Sequence, residues 1–189
     1  MRVSLVLFLC FWAFSCNQKP QPVAKEEVYF NIEQLLADEI RHLLSVKAGL
    51  EKKVTSDGNT DHITIVPADE DEWKGQLGLF LAANIAMPGN RGAYFSETLS
   101  LLEGHEKVIY TAKSAKQAVQ TMECLYVDGE LEQVDIVTGE HNVIFDSSKQ
   151  LTLYLDKNSG HLRGFKIKGH EEMHLKDVLD FEVEAVITY

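Results

Sequence analysis

The segment His170-Glu171-Glu172-Met173-His174 carries two histidines four residues apart with a glutamate after the first. On a helix that interval sets both imidazoles on one face as zinc ligands, with Glu171 beside them as general base for a metal-bound water. The chemistry therefore depends on a helix. The flanks argue against one: GFKIKG before the motif and DFEVEAV after it alternate apolar and polar residues at the period of a strand. In an extended or turn conformation His170 and His174 share no helical face. A solvated strand end or hairpin is the expectation, with no metal, cofactor or catalytic residue assigned.

The five residues are similar to the zincin metalloprotease motif, and the resemblance implies a zinc-dependent hydrolase using His170, Glu171 and His174. Asp180 stands where a metzincin-like third ligand would lie. The match departs elsewhere. Glu172 is charged where zincins carry an apolar residue, Asp177 replaces the turn glycine, and Glu182 and Glu184 follow His174 too closely to serve as the later glutamate ligand. Zinc hydrolysis thus stands as the alternative function, and the chain is not expected to be an enzyme. Other candidates are weaker. His105, His141 and His161 fall in or beside turn signals and are expected at the surface. The Asp69–Glu72 run lacks calcium-loop spacing, and its acids suit the start of a helix.

The beginning of the chain carries a different signal. Arg2 precedes an apolar run from Val3 to Trp12, interrupted only by Ser4, and Ala13-Phe14-Ser15-Cys16 follows. The run is short of the roughly 20 residues a membrane helix needs, so it reads as a cleaved signal peptide over residues 1–15. AFSC resembles the lipobox of bacterial lipoproteins, although Ala13 stands where leucine is usual and Phe14 is bulky. The resemblance implies that Cys16 carries the lipid anchor, diacylglycerol on sulfur with a palmitate-type acyl chain, and becomes the first mature residue. Cys10 is a poorer site because Leu9 is too large for the position beside the cleaved bond. Two or three acyl chains hold a domain stably at a membrane, whereas one binds reversibly.

Residues 16–27, polar with Pro20 and Pro22, read as a lipidated flexible tether, and 28–189 as a single domain. Loss of Arg2 with the signal leaves 17 basic against 29 acidic side chains, a formal charge of −12. Nucleic acid is therefore not an expected partner, and the acidic body is expected to leave membrane contact to the anchor. With Cys16 acylated, Cys124 has no disulfide partner, and the alternation of Met122, Cys124 and Tyr126 places its thiol inside.

Ile32, Leu35, Leu36, Ile40, Leu43 and Leu44 recur at helical spacing behind Asn31 as N-cap, with Gly49 near the helix end. Asp57-Gly58 predicts a hairpin. A second helix is expected over Glu70–Ile85, with Trp73, Leu77, Phe80, Leu81 and Asn84 on one stripe; Trp73, Phe80 and Phe95 are expected in the core. From Tyr94 on, alternating segments separated by short turns predict antiparallel strands. The expected fold is α+β: a curved, mostly antiparallel sheet of six to nine strands, half-barrel or barrel-like, with two helices from the N-terminal half.

The pattern resembles small lipoproteins of Gram-negative envelopes, in particular those of Bacteroidota type, through the signal, GLFLAANIAMPGNRGAY and the closing FEVEA strand. This resemblance implies no particular activity. It implies a lipid-anchored protein of the cell envelope at the outer membrane, as does Asn17 after the lipidated cysteine. In outline the sheet resembles the half-barrels of lipoprotein carriers and lipocalin-like folds. The expected function is a non-enzymatic binding or interaction module for an apolar small ligand or an envelope protein.

Overall fold

The structure, a computed structural model, describes residues 28–141, 144–173 and 178–189. The signal peptide, Cys16, the tether and His174 lie outside the described residues.

Helix α1 (Ile32–Ser45) starts where its cap chemistry requires, with the Asn31 side chain accepting the Gln34 N–H at 3.1 Å. Its apolar stripe, Ile32, Leu36, Ile40 and Leu43, is fully buried. The helix closes in a Schellman motif: Ala48 N–H returns to the Leu43 carbonyl and Lys47 N–H to that of Leu44. Lys47 takes the left-handed conformation, φ 53°, two residues before the Gly49 expected near the helix end. Gly49 lies instead in strand β1 (Gly49–Ser56), where a Cβ would press on the Thr188 hydroxyl.

Strand β1 turns through Asp57-Gly58, both at positive φ, into β2 (Asn59–Ile65). Helix α2 (Glu70–Gln76) opens with Asp69 accepting from Glu72 N–H while the Glu72 carboxylate accepts from Ala68 N–H, a reciprocal cap that uses the acidic run. The single helix expected over 70–85 is broken at Leu77, which leaves the helical conformation, and α3 (Gly78–Ala82) follows it. Gly75 and Gly78 weaken the helix on either side of the break. Three helices thus replace the two expected.

The second half is a meander of β3 (Tyr94–Ser100), β4 (His105–Ala112), β5 (Val119–Val127), β6 (Glu130–His141), β7 (Phe145–Leu155), β8 (Leu162–Met173) and β9 (Leu179–Thr188). The strands form one antiparallel sheet in the order β2-β1-β9-β8-β7-β6-β5-β4-β3. The fold is α+β with a curved sheet, as expected. The sheet does not close, so it is no barrel; β2 and β3 are its edges.

The helices cover one face. Trp73, Leu77, Phe80, Leu36 and Ile40 pack in one core with Met122, Cys124, Val134, Leu151, Leu153 and Phe165, and the rings of Phe80 and Phe165 meet edge to face at 5.6 Å. Phe95 does not join them. Strand alternation turns it outward from β3, 64% exposed, correcting its expected core position. Among the described residues no helix is long and apolar enough to cross a membrane.

Candidate functional site

Strand β8 does not stop before the histidine motif; it runs through His170, Glu171 and Met173. Alternation therefore sends His170 to the open face of the sheet and Glu171 to the helix-covered face. His170 pairs in register with Ser148 on β7 and Asp180 on β9, and its Nδ1 lies 2.7 Å from Asp180 Oδ1. Glu171 is ion-paired with Lys149 at 2.7 Å. The helical face needed by a zincin-like site is absent from 170–173, and among the described residues no group of three or more His, Cys, Asp and Glu side chains could hold a metal.

His170 is instead the last rung of a charge ladder. On the open face Lys166, Lys168 and His170 of β8 stand in register with Glu184, Glu182 and Asp180 of β9. Lys166 Nζ lies 2.5 Å from carboxylate oxygens of both Glu182 and Glu184, and Lys168 Nζ 3.5 Å from Glu182. Opposite charges directly across an antiparallel pair support the register. The ammonium of Lys166 holds the Glu182 carboxyl below its ordinary pKa. The Asp180 carboxylate, through its hydrogen bond, holds the His170 imidazole above its own.

A raised imidazole pKa means that the pair stabilises the fold below the pKa of a free histidine and that this contribution is lost as pH rises through the folded value. Asp180→Asn should lower the His170 pKa, read by proton NMR titration of the ring. Identical titrations in the two proteins would show that Asp180 does not set it.

The Lys168–Glu182 and His170–Asp180 rungs line an open cleft of about 600 Å³ on the sheet's uncovered face. Thr55 and Asp57 close its β1 end and Ser148 and Gln150 its β7 side. The lining bears both signs of charge and also includes the ring of Phe181. It offers hydrogen-bonding and charged groups to a partner, with Phe181 as an apolar contact beside them. A smaller, more apolar cleft of about 250 Å³ lies on the other face, between α3 and β5–β7, lined by Leu79, Ala82, Val119 and Leu151.

A second polar cluster carried no sequence signal. Glu39 on α1, only 7% exposed, accepts the Leu162 N–H at 2.8 Å and lies 3.2 Å from His161 Nδ1. The His161 ring stacks on His42 at 3.5 Å, and Tyr189 donates to the Leu162 carbonyl at 2.6 Å. His161 was expected at the surface and is half-buried here, because the β7–β8 turn folds onto α1. His141 is solvent-exposed beside Asp146, and His105 opens β4 with its Nδ1 3.1 Å from the Glu103 carbonyl.

Cys124 is fully buried, and burial, with Asp135 adding, pushes its thiol up to about 12. A thiol so protonated is a poor nucleophile. Native protein should leave Ellman's reagent unreacted at neutral pH and react only once unfolded; fast native reaction would place the thiol at the surface.

Compared with protein-family models, with curated proteins and with solved structures, the chain matches none of them.

Proposed function

We propose that the chain is a lipid-anchored envelope protein, held at the membrane through Cys16, whose domain is a non-enzymatic interaction module. The observation that carries the module reading is the filled face of the sheet. A carrier of greasy ligands keeps a chamber between helices and sheet, whereas here Trp73, Leu77, Phe80 and Phe165 occupy that space with exposures of 0–2%. The larger of the two clefts lies on the opposite side, along β7–β9, and carries charges of both signs. Its mixed charges suit an envelope protein or peptide better than an apolar small molecule, the other ligand class considered.

The anchor and the module are tested together on the chain extracted from cell membranes. The N-terminal peptide should carry the mass of a diacylglyceryl group on Cys16, and Cys16→Ala should move the protein from the detergent phase to the aqueous phase. Partitioning unchanged by that substitution would refute the anchor. Native mass spectrometry should show no lipid bound within the fold. A stoichiometric lipid retained there would overturn the module in favour of a carrier.

A further inference from the structure

We infer that the outer edge of β3 docks an extended segment of another protein, one that alternates apolar, basic and apolar residues and adds to the sheet antiparallel beyond β3. The inference gives the module a second surface, away from the β7–β9 cleft, and holds whether or not Cys16 is acylated. The observation is a row of main-chain groups set by register. The Lys113 N–H donates to the Ala93 carbonyl and the Leu101 N–H to that of His105, at the two ends of the β3–β4 ladder. Alternation between them turns the odd-numbered residues of β3 toward β4 and the N–H and C=O groups of the even-numbered ones outward.

One end of that row is closed. The Tyr29 hydroxyl accepts the Tyr94 N–H at 3.2 Å and donates to the Tyr94 carbonyl at 3.3 Å, satisfying both groups as a neighbouring strand would. Beyond it Ser96, Thr98 and Ser100 are exposed, and among the described residues nothing bonds to their outward main-chain groups. Edges are commonly blunted by lysine, proline or a bulge, and β3 has none of these. A strand is the one partner that fills such a row in full.

The side chains define which strand fits. Phe95, Glu97 and Leu99 stand in line on the open face, Phe95 and Leu99 exposed. Glu97 is exposed between them and makes no ion pair or hydrogen bond among the described residues. In an added antiparallel strand the residues opposite these three form the close, non-hydrogen-bonded pairs whose side chains touch. A lysine or arginine opposite Glu97, with apolar residues two positions to either side, completes all three.

A second copy does not supply that pattern. Neither edge strand, β2 or β3, contains a lysine or arginine, and two chains of the same acidic charge repel. Within the segment 17–27, Lys19 has Asn17 and Gln21 at two-residue spacing and Lys25 has Val23 and Glu27, so neither lies between two apolar residues.

The test uses the full chain extracted from membranes in detergent and a fluorescein-labelled synthetic peptide, Ser-Thr-Ile-Thr-Lys-Thr-Val-Thr-Ser, followed by anisotropy and hydrogen–deuterium exchange. Binding should saturate, with exchange slowed over 96–100 and unchanged over β2. Glu97→Lys should weaken binding about tenfold, an attraction lost and a repulsion gained across one pair, and the variant should prefer the peptide with glutamate in place of lysine. Methylating the main-chain nitrogens of the two threonines beside the lysine should weaken it roughly tenfold or more, since both donate to β3. Thr98→Pro should do the same and leave the melting temperature unchanged, because the N–H it deletes faces away from β4. No saturable binding, or binding indifferent to the methylated nitrogens and to Glu97→Lys, would overturn the docking edge; the module reading would still stand or fall on lipid retained in the fold. Edge protection that rises with protein concentration in the absence of peptide would give the edge to a second copy and overturn the proposal.

Discussion

Replacing Trp73 by alanine is expected to destabilise the domain by about 3–5 kcal/mol, the range for deleting a buried aromatic side chain. Trp73 is the largest of the fully buried side chains and stands in the core that joins α1–α3 to the sheet. A domain of this size has roughly 5–15 kcal/mol in total, and each kcal/mol moves its melting temperature by about 2–4 °C. The variant should therefore melt roughly 6–20 °C lower, and a fall of only a degree or two would mean that the core does not hinge on α2. Trp73→Phe separates packing from polarity. The indole Nε1–H is buried without an acceptor. Phenylalanine removes that donor, whose burial costs about 1–3 kcal/mol, against a partial loss of packed volume. The two terms offset, so Trp73→Phe should lie within about 1 kcal/mol of the natural protein.

Where local chemistry decides a conformation, the sequence was readable. Asn31 and the Ile32–Leu43 stripe define α1, and Asp57-Gly58 and Asp128-Gly129 adopt the two positive-φ residues that a tight hairpin demands. The break at Leu77 was less legible, because Trp73, Leu77 and Phe80 keep a helical interval across it. The histidine motif was ambiguous for a related reason, and the strand expected there is the one observed over 170–173. An interval of four residues is compatible with helix and strand alike, and only the alternation on both sides of His170 distinguishes them.

The charge ladder was half visible. Basic residues recur at every second position from Lys166 to His170 and acidic ones from Asp180 to Glu184, but their facing each other depends on register, which no single strand encodes. Nothing local announced the Glu39 cluster. Its partners are more than 120 residues apart, and only the docking of α1 on the β7–β8 turn brings them within 3.2 Å.

Gly164→Ala should be the most damaging of the small substitutions in the sheet, costing about 2–4 kcal/mol from overpacking and displaced strand hydrogen bonds. Gly164 sits where β8 bulges against β7, its register shifting between Tyr154 and Leu155. A Cβ there would fall far inside contact distance of the Ala185 carbonyl oxygen and 3.4 Å from Val186 Cα, both main-chain atoms of β9. Backbone cannot rotate aside, so β9 would have to move as a strand. Gly169 provides the contrast. Its added Cβ would strike the ring of Phe181, a side chain that can turn or be shortened. Gly169→Ala should therefore regain much of its lost stability when combined with Phe181→Ala, whereas Ala185→Gly should restore nothing to Gly164→Ala. Denaturant melts of the four variants decide the matter. Recovery at Gly164 through Ala185→Gly would show that side-chain crowding, and not the main-chain approach of β8 to β9, requires the glycine.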